Sequence, residues 1–450
     1  MEKIQFSKNF LFGVATSAAQ LEGAAQEDGR GLSIWDAFSR IPNTIADNST
    51  PEIACDMYHS YPEDLALAKE LNIESFRFSF SWSRIMPEGK GHVNQKGLDY
   101  YKRFIDGILH KGIVPNATVY HWDLPYELER IGGWLNRDIV NWYGEFASLL
   151  YREFGDSVPL WATFNEPIAT YVGYALGVFA PGKKLEKYGR QANHHLLMAH
   201  GEGIKRFRQE GLQNSKAGIV VDIWNHHPLR KDSPEDIALA ELENEKTYRS
   251  YLHPIFNGKY SDELLQYMEQ NDCMPKVKPE DMKLINQPLD FFGLNCYNRV
   301  LECTDLSLIN KEKNQGGNYL DNGKEFYPKA VYEAIQILDK EFKIGIPIYI
   351  TENGTDNCNE IVQEDGRIHD AQRIEYMEGF LYWIHKAMEE GADIRGYYAW
   401  SLLDNWEWCG GFKSRFGLIR TDFDTQKRIC KDSGFWYRDL IQNRGFNYLK

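Results

Sequence analysis

Eight short apolar runs separated by amphipathic stretches recur through the chain, and this alternation limits the fold more than any other feature. The runs are 10–15, 75–82, 113–122, 160–165, 217–225, 289–297, 346–352 and 394–401. They are nearly continuous in apolar character, as expected of strands covered on both faces. Between them, 3.6-residue periodicity predicts helices over 98–110, 139–154, 330–342 and 374–390. Residues 136–138 offer a cap to the second of these helices, and Gly391 closes the last. Eight strand-then-helix units predict an α/β chain folded as a single (β/α)8 TIM barrel with elaborated βα loops, one domain over residues 1–450. The longest irregular stretch, 302–329, follows the sixth strand and reads as a rim loop.

In such a barrel the C-terminal ends of the strands converge on one pocket. Two of the runs stop at an acidic residue: Asn165-Glu166-Pro167 after the fourth, and Glu352-Asn353-Gly354 at the end of the seventh. An isolated glutamate is ordinarily a surface residue, but two acids at equivalent strand ends would face each other across the mouth. Paired carboxylates of this kind suit glycosidic bond cleavage, in which one donates a proton while the other meets the sugar carbon. Gly354 lets the chain turn sharply after Glu352. Arg77, set between Phe76 and Phe78, needs a buried partner, and two compatible readings stand: a structural ion pair, or a guanidinium that holds the second carboxylate ionised.

Aromatic residues form 14% of the chain and gather at strand ends: Tyr120-His121-Trp122 after the third, Tyr297 after the sixth, Trp400 and then Trp406-Glu407-Trp408 at the eighth. A single tryptophan is usually core. An aromatic and polar mixture at several strand ends matches a pyranose, which has apolar C–H faces and a hydroxyl rim. Gln20, His121, Asn165 and Glu407 supply the polar part.

The formal charge of −14 argues against nucleic acid and anionic membranes as partners. No apolar run reaches membrane-spanning length and no leader peptide is expected at the start. Seven scattered cysteines (55, 273, 296, 303, 358, 409 and 430) have no Cys-x-x-Cys spacing, which disfavours disulfides and zinc and points to the cytoplasm. The pairs His194-His195 and His226-His227 are read as surface or loop residues rather than metal ligands, because adjacent side chains diverge. No Gly-x-Ser-x-Gly elbow and no phosphate-binding loop is present.

Together these segments resemble the family 1 glycoside hydrolases, the β-glucosidase-like enzymes, over essentially the whole chain. The resemblance runs through residues 10–17, 77–85, 163–167, 350–354, 400–408 and 415–418. It implies a retaining β-glycosidase that releases terminal β-D-glucosyl residues, without metal or organic cofactor, and a β-glucoside or cello-oligosaccharide as its small-molecule partner. On this sequence it makes Glu166 the general acid/base and Glu352 the nucleophile. It gives Asn165 to the sugar 2-hydroxyl and Gln20, His121, Trp400, Glu407 and Trp408 to the non-reducing sugar. Tyr297 and Arg77 would tune Glu352, and Asn295 would complete the ring around the acids. Oligomeric state and gluco-, galacto- or fuco-selectivity are not readable.

Two departures stand out. Ala19-Gln20-Leu21 lacks the aromatic that relatives carry before Gln, a neutral repacking. Lys324 takes the place of a tryptophan that walls the leaving-group site; it would either bond a polar leaving group or point to solvent, with solvent favoured. One alternative is a 6-phospho-β-glycosidase on the same barrel, disfavoured because a Glu407 carboxylate repels phosphate and Phe416 lacks a hydroxyl. A non-catalytic sugar-binding barrel is the other, disfavoured because both acids are present.

Overall fold

The computed structural model describes residues 2–309, 317–356 and 360–449. Eight parallel strands close into a barrel. They are β1 (Leu11–Ala15), β2 (Ser75–Ser79), β3 (Val114–Tyr120), β4 (Leu160–Asn165), β5 (Lys216–Asp222), β6 (Phe291–Asn295), β7 (Ile348–Asn353) and β8 (Ile394–Trp400). Each pairs with its neighbours in sequence, and β8 closes on β1 through Gly396↔Leu11 to Trp400↔Ala15. A separate two-stranded sheet of Glu2–Gln5 and Gly445–Tyr448 joins the two ends of the chain.

All eight predicted strands form, but several stop earlier than the apolar runs do. The run through Trp82 leaves the sheet at Ser79 and turns into a helical segment, Trp82–Ile85. The fifth and sixth strands stop at Asp222 and Asn295, short of Asn225 and Tyr297. The reason is burial: loops over the barrel mouth are themselves packed, with Phe80, Trp82 and Ile223 fully buried, so hydrophobicity continues where the ladder has ended.

The helix Gln95–His110 buries Leu98, Tyr101, Phe104, Ile105 and Ile108, one stripe at helical spacing. Helix Ile139–Phe154 packs along Glu186–Glu210. Asn136 rather than Asp138 supports its start, the Asn136 Oδ1 accepting from Asp138 N at 3.0 Å. The predicted 330–342 helix is α-helical to Gln336 and continues as a π turn over Ile337–Glu341. Gly391 follows the helix Ala371–Glu389 with φ +105°, where a side chain would be strained. Tyr437, in the helix Asp432–Asn443, is buried and donates to Gly13 O at 2.8 Å, while Phe435 stays partly exposed.

The histidine pairs correct the surface reading. His194 and His195 lie in the helix Glu186–Glu210 and are buried. His194 bridges Tyr260 and Asp281, each at 3.0 Å, and His195 Nδ1 meets Trp134 O at 2.8 Å. Burial lowers His195 to about 4, so it packs as a neutral ring. His226 and His227 lie in a short strand and pair with Glu302 (2.8 Å) and Glu333 (3.1 Å). The 302–329 stretch contains a helical turn, Leu306–Ile309, and a bridge between Tyr319 and Glu325; its residues 310–316 lie outside the described residues. Cys358 does too, and the other six cysteines are unpaired.

Candidate active site

A cavity of about 820 Å³ opens at the C-terminal ends of the barrel strands. Glu166 and Glu352 both line it, together with His121, Tyr297, Trp400, Glu407 and Trp408. Gln20, Arg77, Asn165 and Asn295 form the layer behind, joined to the lining by hydrogen bonds. The sequence-predicted set thus converges on one place.

Glu352, near the end of β7, is held from two sides. Arg77 Nη1 donates to its Oε1 at 2.5 Å, and the Tyr297 hydroxyl donates to Oε2 at 2.8 Å. Arg77 comes from β2 and is fully buried, so its charge is spent on this carboxylate and on Asn165 Oδ1 (Nη2, 2.7 Å). Both readings of Arg77 therefore meet in one contact. A charge-assisted pair of this kind, buried on both sides, fixes position as much as it contributes energy. Gly354 serves close approach rather than a sharp turn: a Cβ there would lie 1.9 Å from the Trp400 carbonyl oxygen, and its φ is not positive.

Glu166 follows β4. Its backbone bonds Val220 O at 3.0 Å and takes φ +45°, and Trp122 and Trp408 have φ +77° and +48°. Left-handed non-glycine backbone costs of order 1–3 kcal/mol per residue, and three such positions line one cavity. Asn295 Nδ2 donates to Glu166 Oε1 at 2.7 Å and to Asn165 Oδ1 at 3.0 Å, while its own Oδ1 accepts from Thr351 Oγ1 at 2.8 Å.

This network also fixes a tautomer. Asn165 Oδ1 already receives Arg77 and Asn295, so the Asn165 amide nitrogen must face His121 Nε2, at 3.1 Å. Nε2 is then an acceptor, and the ring proton sits on Nδ1, which has no protein partner. Burial, then the Arg77 charge, depresses the His121 pKa strongly and keeps the ring neutral.

Electrostatics separate the two acids. Burial raises Glu166 well above the ordinary carboxylate range; the nearby Asp222 and Glu352 carboxylates add to the rise, and the Asn295 bond opposes it. A carboxyl so placed keeps its proton, as a general acid must. Glu352 instead receives two donors, the Arg77 guanidinium and the Tyr297 phenol. Burial also lifts Glu407 to about 8 and Asp222 to about 7.

On the opposite side, Ser17 Oγ donates to Gln20 Oε1 (2.6 Å), and Gln20 Nε2 donates to Asn405 Oδ1 (3.0 Å) and Glu407 Oε2 (3.1 Å). The His121 ring lies 6.0 Å from both Trp400 and Trp408 in stacked geometry, and Trp122 packs on Trp408 at 4.6 Å. The result is an aromatic wall beside a polar rim.

Lys324 stays largely exposed, as the solvent-pointing expectation has it, but its Nζ is held by Asp356 at 2.6 Å at the edge of the cavity. Trp122, one of the strand-end aromatics, lines the cavity too, as do Asp222 and Trp224, which the sequence reading does not single out. For Asp222 a signal existed, since Val220-Val221-Asp222 repeats the pattern of an apolar strand ending in an acid. Among the described residues no cluster of His, Cys, Asp and Glu could hold a metal ion.

The glycosyl hydrolase family 1 profile matches residues 2–446. Beta-glucosidase A of Acetivibrio thermocellus is 41% identical, over 99% of this chain and 100% of its own length. The 1,4-beta-D-glucan glucohydrolase of Thermotoga neapolitana is 40% identical, over 98% of this chain and 99% of its own. The solved structure of the Thermotoga maritima beta-glucosidase in complex with glucoimidazole superimposes with a TM-score of 0.93 at 40% identity, covering 98% of this chain and 100% of that one. With a closed eight-stranded barrel, two facing glutamates and a match over nearly its full length, the chain belongs to glycosyl hydrolase family 1.

Proposed function

We propose that this glycoside hydrolase is a retaining β-glucosidase in which Glu352 is the nucleophile and Glu166 the general acid/base. The observation that carries the assignment is the asymmetry of the pair. Glu352 is clamped by Arg77 and Tyr297, while Glu166 has one amide donor and is pushed by burial and by neighbouring carboxylates towards its protonated form.

In the first step Glu352 Oε attacks the anomeric carbon as the glycosidic C–O bond breaks, and Glu166 gives its proton to the departing oxygen. The product is a glycosyl ester on Glu352. Glu166, now ionised, takes a proton from water, whose oxygen attacks the same carbon and frees Glu352. Asn165 keeps one amide hydrogen for the sugar 2-hydroxyl, and the His121 Nδ1–H is free for a second hydroxyl. Trp400 and Trp408 pack the sugar ring, and Gln20 and Glu407 read the remaining hydroxyls.

The substrate class is a terminal β-glucoside or short cello-oligosaccharide, a role in cellulose breakdown supported by the glucan glucohydrolase relative. The cytoplasm is the proposed compartment, supported by six unpaired cysteines among the described residues. The 6-phosphate alternative is disfavoured for a different reason than charge repulsion, since burial leaves Glu407 largely protonated at pH 7. The basic residues that follow Glu407 in the chain and could serve a phosphate are engaged instead: Lys413 Nζ bonds Ala46 O at 2.9 Å and Arg415 pairs with Asp404 at 3.0 Å.

Hydrolysis of paired chromogenic β-glucoside and β-glucoside-6-phosphate tests the reading, with Glu352→Gln as control. Turnover of the neutral sugar, abolished in Glu352→Gln and restored by azide in Glu166→Ala, is expected. Turnover of the phosphate ester alone would overturn it.

A further inference from the structure

The strand that carries Glu352 loses its regular ladder where Glu352 sits. On the β6 side the β7 register breaks between Ile350 and Glu352, and on the β8 side between Ile350 and Asn353. Such an irregularity re-aims a side chain but gives up ladder bonds that would hold the backbone. Other groups have to hold the β7 exit, and two of them come from one helix.

The first turns of the helix Ala371–Glu389 present Arg373 and Tyr376, both buried and three residues apart on one face. Arg373 Nη1 donates to Thr355 O and to Phe416 O (3.0 Å), and Nη2 donates to Arg415 O (2.9 Å). One guanidinium thus ties the β7 exit, just beyond Glu352, to the segment that returns from β8. Phe416 O also accepts from Ser401 N at 3.2 Å, next to Trp400. Glu360 and Asp370 pair with the same guanidinium. The Tyr376 hydroxyl donates to Tyr297 O at 2.6 Å and accepts from Asn353 Nδ2 at 3.3 Å. Asn353 directly follows Glu352, and the Tyr297 phenol is the donor to Glu352 Oε2. The two side chains therefore act on Glu352 through its neighbours.

We infer that Arg373 and Tyr376 are positioning residues for the nucleophile, buckling the β7 exit to the β6 and β8 loops so that Glu352 stands in line with the anomeric carbon. This role rests on the assignment of Glu352 as nucleophile. An attacking atom has to stand about 3–3.5 Å from its target, and a misplacement of about 1 Å costs about a hundredfold in rate.

The test is covalent labelling of wild type, Arg373→Lys and Tyr376→Phe by a 2-fluoro-β-glucosyl fluoride, followed by mass spectrometry. In labelling, Glu352 Oε bonds to the anomeric carbon as the C–F bond breaks and fluoride leaves with the electron pair, so the step depends little on Glu166. Lysine keeps the positive charge beside Glu360 and Asp370 but cannot span three carbonyls as the planar fork does. Phenylalanine removes one hydroxyl and keeps the ring. The limiting rate constant is expected to fall about ten- to hundredfold in Arg373→Lys and about three- to tenfold in Tyr376→Phe, with the labelled fraction still complete. If Arg373→Lys does not fold, Tyr376→Phe decides alone. A merely structural role lowers the labelled fraction and leaves the rate constant of the folded chains unchanged, and that result overturns the inference alone. Wild type that takes no label, or takes it on a residue other than Glu352, overturns the nucleophile assignment as well.

Discussion

Asn295→Ala isolates the one hydrogen bond that opposes proton retention by Glu166. In the structure Asn295 Nδ2 lies 2.7 Å from Glu166 Oε1, and this bond favours the ionised form. A hydrogen bond to a charged group contributes about 1.5–3 kcal/mol. One pKa unit corresponds to about 1.4 kcal/mol, so its loss raises the Glu166 pKa by about one to two units. In the proposed mechanism Glu166 must be protonated for the first step, and the alkaline limb of kcat/KM then reports its ionisation in the free enzyme. That limb therefore moves to higher pH by the same amount. The substitution also leaves the buried Thr351 hydroxyl without its 2.8 Å partner, whereas Asn165 Oδ1 keeps Arg77. An orphaned buried group costs about 1–3 kcal/mol. A chain of 450 residues melts with an entropy of about 0.9 kcal/mol per degree, so Tm falls by about 1–3 °C. The assay is a kcat/KM profile on cellobiose between pH 5 and 10, with a melting curve on the same protein. An alkaline limb that stays in place or moves down refutes the assignment of that limb to Glu166.

Other expectations follow from single contacts. Asp222→Asn removes a negative neighbour that raises Glu166, so the alkaline limb moves down; because Asp222 itself ionises near 7, the displacement is visible only above that pH. Glu407 is raised by burial to about 8, above its value in the unfolded chain, so its contribution to stability is complete below about pH 4.3 and is lost as pH rises through 8. Melting curves of Glu407→Gln across pH 4–9 should accordingly be flatter than those of wild type, and equal slopes would count against a buried Glu407. Gly354→Ala places a Cβ 1.9 Å from the Trp400 carbonyl oxygen and should lower stability by at least about 1–3 kcal/mol in urea titration. Lys431→Met deprives the buried Asp404 and Glu360 of the ammonium that pairs with them at 2.8 and 2.5 Å, with an expected loss of about 3–5 kcal/mol in the same measurement.

The amino-acid sequence by itself determined the barrel and the two acids. Eight apolar runs separated by periodic helices permit few other closed arrangements, and carboxylates at two strand ends are local facts about where hydrophobicity stops. Local pattern could not fix the strand ends, because the loops over the mouth are as buried as the sheet, as Phe80 and Trp82 show. Nor could it place His194 and His195, whose surroundings come from Trp134, Tyr260 and Asp281 on distant segments. Tertiary structure alone decided that Arg77 reaches Glu352, that Asn295 carries Glu166 and that Lys324 is tied to Asp356. It also set Asp222 beside the acids with an oxygen unpaired. The physical reason is that these properties belong to pairs of groups. A strand pattern is written in neighbouring residues, but a shifted pKa or an unsatisfied oxygen depends on what the closed barrel brings across its mouth.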